Sequence, residues 1–117
     1  MAGTERYIRN STADFLVFTK DSETDGIEVR VQDHEVWLTQ KGIGNLFDVD
    51  RSVVAKHLKN IFAEGELDAN SVCAKFAQTA DDGKTYHYKF YSLPAIIAVG
   101  YRTNSTRATQ FRQWATK

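Results

Sequence analysis

From Ile27 apolar residues recur at every second position, as Ile27, Val29 and Val31, and after a turn near Asp33-His34 come Val36, Trp37 and Leu38 in succession. A period of two puts alternate side chains on one face of a strand, so this segment predicts a small β-hairpin turning at Asp33-His34. From Gln40 the spacing lengthens. Ile43, Leu46 and Phe47 stand at i, i+3 and i+4, which predicts a helix over residues 40 to 47 with Thr39 as its cap. Asp48-Val49-Asp50 interrupts that pattern, and Val54, Leu58, Ile61 and Phe62 then form the stripe of a second helix, capped by Asp50 and stopped by Gly65.

The two-residue period returns over residues 71 to 79 and 85 to 92, joined by Ala80-Asp-Asp-Gly-Lys84, and Asp-Gly is a strong hairpin-turn signal. Tyr86, Tyr88 and Phe90 fall on one face of the second strand. Pro94 fits the first turn of a helix reaching about Tyr101, and Asn104 or Ser105 opens another. That helix runs to Lys117 with no capping glycine, which predicts that the chain is the N-terminal part of a longer protein. Before Ile27 the apolar run from Phe15 to Phe18 is followed by a polar, acidic stretch from Lys20 to Gly26 that reads as a loop. Residues 1–26 are therefore expected to be an N-terminal extension, and residues 27–117 the domain.

Two short helices joined by a sharp turn satisfy the steric demands of a helix-turn-helix. Gly44 is the small residue where the second helix crosses the first, Phe47 and Val49 bracket the turn, and Val54 and Leu58 point back toward Ile43 and Leu46. Asp48 holds the turn position often given to glycine, because a short polar side chain tolerates the left-handed region better than most. The expected fold is α+β: a winged helix-turn-helix with small antiparallel β-hairpins and C-terminal helices. Its core is expected to contain Val36, Leu38, Ile43, Leu46, Phe47, Val54, Leu58, Ile61, Ile96 and Phe111.

At 117 residues the chain suits one domain that needs neither disulfide nor metal to hold it. The single cysteine, Cys73, and the lack of an apolar leader at the N-terminus fit a cytoplasmic protein, and no apolar run is long enough to span a bilayer. Net charge is zero, which alone does not mark a nucleic-acid binder. The distribution changes the picture. Residues 1–38 hold four Lys and Arg against eight Asp and Glu, whereas residues 71–117 hold seven against two. The basic surplus lies around and after the helical pair.

A second helix of this kind enters the major groove with its N-terminal residues toward the base edges. With Val54 and Leu58 turned inward, Arg51, Ser52, Lys56 and Lys59 face outward. Arg51 suits bidentate pairing with guanine, Ser52 suits either partner, Lys56 reaches a base or a phosphate, and Lys59 a phosphate. Thr39 and Gln40 stand where free amides at a helix start hold a phosphate, although plain N-capping accounts for Thr39 equally well. The second hairpin, with Lys84 at its tip and Lys75 and Lys89 along it, would act as a wing, with Asp81 and Asp82 opposing deep insertion. Arg102, Arg107 and Arg112 offer a second phosphate-binding strip, or simply keep a helix soluble.

Other chemistry finds little footing. His34, His57 and His87 are scattered, there is no Cys-x-x-Cys or His-x-x-x-His spacing, and neither a nucleophile constellation nor a phosphate-cradling glycine loop is present. No metal, cofactor or enzymatic activity is expected of this segment. The aromatics Trp37, Tyr86, Tyr88, Phe90, Tyr91 and Trp114 are expected to serve as core rather than as stacking platforms.

Six segments carry a family resemblance: Val36-Trp37-Leu38-Thr39-Gln40, Lys56-His-Leu-Lys-Asn-Ile-Phe62, Glu64-Gly-Glu-Leu67, Lys89-Phe-Tyr91, Ala98-Val-Gly-Tyr-Arg102 and Thr109-Gln-Phe-Arg-Gln-Trp-Ala115. Through them the chain resembles the N-terminal part of the RhuM family from about Ile27 onward, and its end is distantly similar to the BRO-N and KilA-N domains of phages and viruses. The resemblance implies a virulence-associated bacterial protein of mobile elements, a presumed DNA-binding role and a further C-terminal region. Double-stranded DNA is thus the expected partner, with transcription regulation as the expected role and a homodimer on a palindromic site as the pairing such readers often adopt. The alternative is a protein–protein interaction or oligomerisation module of a longer effector. A third reading places enzymatic or toxin chemistry beyond Lys117, with this domain as its targeting part.

Overall fold

The structure is a computed structural model that describes residues 12–21, 27 and 29–116. In chain order its elements are α1 (Thr12–Asp21), β1 (Arg30–Gln32), β2 (Glu35–Leu38), α2 (Gln40–Phe47), α3 (Arg51–Ala63), α4 (Ala69–Val72), β3 (Cys73–Thr79), β4 (Thr85–Ser92), α5 (Leu93–Arg102) and α6 (Thr106–Ala115). The class is α+β, with a four-stranded antiparallel sheet in the order β1-β2-β4-β3.

Each turn follows from local chemistry. Asp33 and His34 both adopt positive φ, 53° and 66°, the turn geometry that matches the twist of a two-residue hairpin. In the second hairpin the Gly83 amide donates to the Ala80 carbonyl at 2.9 Å and Gly83 takes φ 82°, so the loop is a tight turn closed by a left-handed glycine. The Thr39 hydroxyl accepts from the Gly42 amide at 3.0 Å and caps α2, and an Asp50 carboxylate oxygen accepts from the Ser52 amide at 2.9 Å and caps α3. Between them Asp48 sits in the left-handed region, φ 57° and ψ 47°, as the sequence predicts.

β2 joins the two hairpins through only two residue pairs, Trp37↔Ser92 and Leu38↔Tyr91, whereas β3 and β4 pair along seven. The second hairpin therefore extends past the sheet and past the core, and every residue from Asp81 to Lys89 is exposed. Alternation divides the sheet's two faces. Val36, Leu38 and Tyr91 join the helices in the main core, while Trp37, Phe76 and Phe90 pack on the reverse face, with the Arg30 guanidinium lying 4.3 Å from the Phe76 ring centre. All ten residues expected in the core are buried.

Four expectations are corrected. Tyr86 and Tyr88, expected in the core, are exposed, because the hairpin carries them past the helices. The segment around Phe15, predicted as an apolar run leading into a loop, is helix α1, and Phe15 is fully buried in the core. Phe18 meets Phe111 edge to face at 5.6 Å and lies tilted 4.8 Å from Trp114, so α1 is fixed to α6 by aromatic contacts. Lys20 and Asp21 belong to this helix, and residues 22–26 of the expected loop lie outside the described residues. In the first hairpin β1 begins only at Arg30, so Ile27 and Val29 pack against the core from outside the strand and Val31 is half exposed on an edge. The strand expected from Ser71 starts at Cys73, because the Asp68 side chain accepts from the Asn70 amide and winds Ala69–Val72 into a helical turn.

The α2–α3 crossing depends on a missing methyl. A Cβ built on Gly44 would stand 2.7 Å from the Val49 carbonyl oxygen, which is fixed backbone. Gly44→Ala is expected to lower unfolding stability by about 1–3 kcal/mol, measured by urea denaturation. Leu58→Ala, which empties the core under α3, is expected to cost about 2–5 kcal/mol.

Candidate nucleic-acid interface

The crossing of α2 and α3 leaves an open cleft of about 590 Å³ on the solvent side, lined by Gln40, Lys41 and Asn45 from α2 and by Asp50, Arg51, Ser52 and Ala55 around the start of α3. Burying Val54, Leu58 and Ile61 fixes the rotation of α3. Ser52, Lys56 and Lys59 consequently lie on the outer face, exposed, with Arg51 exposed at the first turn. The structure thus brings Gln40, Arg51 and Ser52 together in one cleft, and sets Lys56 and Lys59 along the same helix one and two turns farther on.

The electrostatics of this surface are uneven. Lys41, Arg51, Lys56 and Lys59 are all exposed, and none forms an ion pair among the described residues. Ser52 beside Asp50 holds that carboxyl below its ordinary value, through its hydroxyl first and its amide second, so the α3 cap stays ionised. His57, on the flank of α3, is pushed down by partial burial and then by Lys56 and Arg102, which leaves it neutral near pH 7.

The three arginines of the C-terminal helices have a different fate. Arg102 is held by Glu64 at 2.7 Å and Glu66 at 2.8 Å. Arg107 donates to the Asn45 carbonyl at 3.0 Å and so ties α6 to the end of α2. Arg112 donates to the carbonyls of Gly100 at 2.9 Å and Thr103 at 2.7 Å, satisfying orphan acceptors at the end of α5. The sequence offered these residues as a phosphate strip or as charges that keep a helix soluble; in the fold each also bonds a neighbouring element.

The Thr39 hydroxyl oxygen accepts from the Gly42 amide, which leaves its proton to donate. Gln40 is occupied differently, its amide donating to the Tyr91 hydroxyl at 3.1 Å. This bond, between residues 51 positions apart, links the start of α2 to the base of the second hairpin. Lys75 and Lys84 lie on that hairpin, exposed and away from the cleft. Sequence reasoning did not place Lys41 or Asn45 at the site, and took Tyr91 only as core. Lys41 could have been found from its place in the first turn of α2, but nothing in the sequence pairs Tyr91 with Gln40.

Among the described residues no group of three or more His, Cys, Asp and Glu could hold a metal ion, and no helix is long and apolar enough to cross a membrane. Residues 71–117, covering the second hairpin and both C-terminal helices, match the family model described as the Virulence protein RhuM family, a partial match that supports the family assignment suggested by the resemblance. No match was found among curated proteins or among solved structures.

The Arg102 cluster makes a prediction about pH. The Arg102 guanidinium, by hydrogen bonding first and by charge second, holds the Glu64 carboxyl below its ordinary value of 4.5. A carboxyl lowered on folding stabilises the fold above its unfolded pKa, and that contribution is lost as pH falls through the folded one. Glu64→Gln is expected to be less stable than the parent at pH 7, with the gap closing below about pH 4; thermal melts between pH 3 and pH 7 read it directly.

Proposed function

We propose that α2, the Asp48–Asp50 turn and α3 form a helix-turn-helix that binds double-stranded DNA, with the β3–β4 hairpin as its wing. The observation that carries this reading is a contrast in how cations are used. Arg102, Arg107 and Arg112 are bonded to carboxylates or carbonyls within the fold, while Lys41 and Arg51 at the cleft, and Lys56 and Lys59 farther along α3, stay exposed and form no ion pair among the described residues. Unpaired cations repel one another, and a surface that gathers them suits a polyanion.

In this reading α3 lies in the major groove. Arg51 and Ser52 at its N-terminal turn meet base edges, and Lys56 and Lys59 meet bases or phosphates. Thr39, Gln40 and Lys41 hold backbone phosphate at the start of α2, where the helix dipole adds to the charge. Gly44 makes the arrangement rigid, because the helices meet closely enough to keep α3 at one angle. Transcription regulation follows as the role of such a reader in a virulence-associated bacterial protein.

A second reading rests on the reverse face of the sheet, where Tyr86 and Tyr88 are 42% and 38% exposed beyond the Trp37–Phe76–Phe90 cluster. Aromatic side chains on an exposed face are common anchors for protein partners. That face would make the domain an interaction or oligomerisation module.

Fluorescence anisotropy with a random-sequence duplex across a salt series separates the two. Lys56→Glu with Lys59→Glu is expected to abolish binding while leaving the circular dichroism spectrum intact, and Arg102→Gln to retain it. Binding by the parent should weaken steeply as salt rises. Failure of the parent to bind at low salt would reject the DNA reading and favour the protein-partner one.

A further inference from the structure

The second hairpin carries a like-charge pair that folding alone does not explain. Lys75 and Lys89 stand directly opposite each other in the β3–β4 register. Both are exposed, and no carboxylate pairs with either among the described residues. Like charges facing each other across an antiparallel pair are destabilising. Neighbouring positions on this face are Ala77, His87, Thr79 and Thr85, so no acid lies along it.

The two faces of the hairpin and its tip differ in chemistry. Residues two apart on a strand share a face, so Lys89 stands on the same side as Tyr91, whose hydroxyl meets Gln40 at the edge of the α2–α3 cleft. The opposite face is aromatic: Phe76, Tyr88 and Phe90 lie there, with Arg30 on the Phe76 and Phe90 rings. At the tip Lys84 is next to Asp81 and Asp82 in a rigid turn. One Asp82 oxygen accepts from the Tyr86 hydroxyl at 2.6 Å and the other from the Lys84 amide at 2.8 Å. An ionised carboxylate fixed there opposes insertion of the tip between phosphates.

From this geometry we propose that the hairpin binds the DNA backbone along its flat, Tyr91-side face, with Lys75 and Lys89 straddling a phosphate, and not through its Lys84 tip. This deepens the DNA reading and rests on it. The cross-strand pair is a ready cradle for an anion: a phosphate placed between the two ammonium groups replaces their repulsion with two charge-assisted contacts. The Gln40–Tyr91 hydrogen bond holds this face at a fixed position relative to the start of α2, so wing and helix engage the same backbone together.

Salt-dependent anisotropy on a random duplex tests it with three variants: Lys75→Gln with Lys89→Gln, Lys75→Arg with Lys89→Arg, and Lys84→Gln. Each phosphate contact contributes about 0.9 to the slope of log affinity against log salt. Loss of both lysines is expected to reduce that slope by about 1.8, the arginine pair to restore it, and Lys84→Gln to leave it unchanged. Because the glutamine pair relieves a repulsion, its melting temperature should not fall below the parent's, so lost binding cannot be put down to misfolding. An unchanged slope in the glutamine pair, or an equal loss in Lys84→Gln, overturns the proposal while leaving helix-mediated binding intact. Absence of binding by the parent would instead reject the DNA reading on which it stands.

Discussion

The orientation of the whole charged surface depends on one close approach, that of Gly44 on α2 to the Val49 carbonyl at the start of α3. With 2.7 Å between a would-be Cβ and that oxygen, the two helices meet more closely than any residue with a Cβ would allow. Asp48 in the left-handed region and Asp50 as cap then set where α3 begins, and the Val49 amide bonded to the Gly44 carbonyl at 2.9 Å closes the turn. Everything outward on α3 is placed by that start and by the burial of Val54, Leu58 and Ile61. A helix begun one residue later would rotate its outer face by about 100° and scatter Arg51, Lys56 and Lys59.

A second layer of the fold supports this pair from behind. Gly100 lets the Phe111 and Phe47 rings approach α5 to within 3 Å of where its side chain would be, and those two rings meet edge to face at 5.0 Å. Arg107, Arg112 and the Ser105 hydroxyl, which donates to the Phe47 carbonyl at 2.6 Å, join the last helix to the ends of α2 and α5. The C-terminal helices are in this sense the clamp on the helical pair. Their cations serve the fold, and among the described residues the exposed cations lie on α2, α3 and the second hairpin.

Much of this arrangement was legible in the sequence because local chemistry and hydrophobic period agreed. Thr39, Asp48, Asp50 and Gly65 marked the ends of α2 and α3, and the stripes at Ile43–Phe47 and Val54–Phe62 fixed which faces are buried. The Ala80–Lys84 turn marked the second hairpin. Helix α1 was not legible, since Phe15, Leu16, Val17 and Phe18 form an unbroken apolar run without helical period, and Leu16 proves 37% exposed while Phe15 is buried. Its partners, Phe111 and Trp114, are nearly a hundred residues away. The fate of the arginines was equally hidden: a basic residue reads the same whether its partner is a phosphate or a carboxylate brought near by the fold, and Arg102 meets Glu64 and Glu66 only because α5 packs on α3.

The central claim is that one surface, made of the start of α2, the outer face of α3 and the lysine-bearing side of the hairpin, contacts duplex DNA. Nuclear magnetic resonance titration of the isotope-labelled chain with a short random duplex would map the contacted amides residue by residue. The account predicts shifts concentrated at Thr39–Lys41, Arg51–Lys59 and around Lys75 and Lys89, with α5 and the reverse aromatic face unmoved. Shifts confined to Tyr86, Tyr88 and the α5–α6 surface, or none at all at low salt, would contradict it.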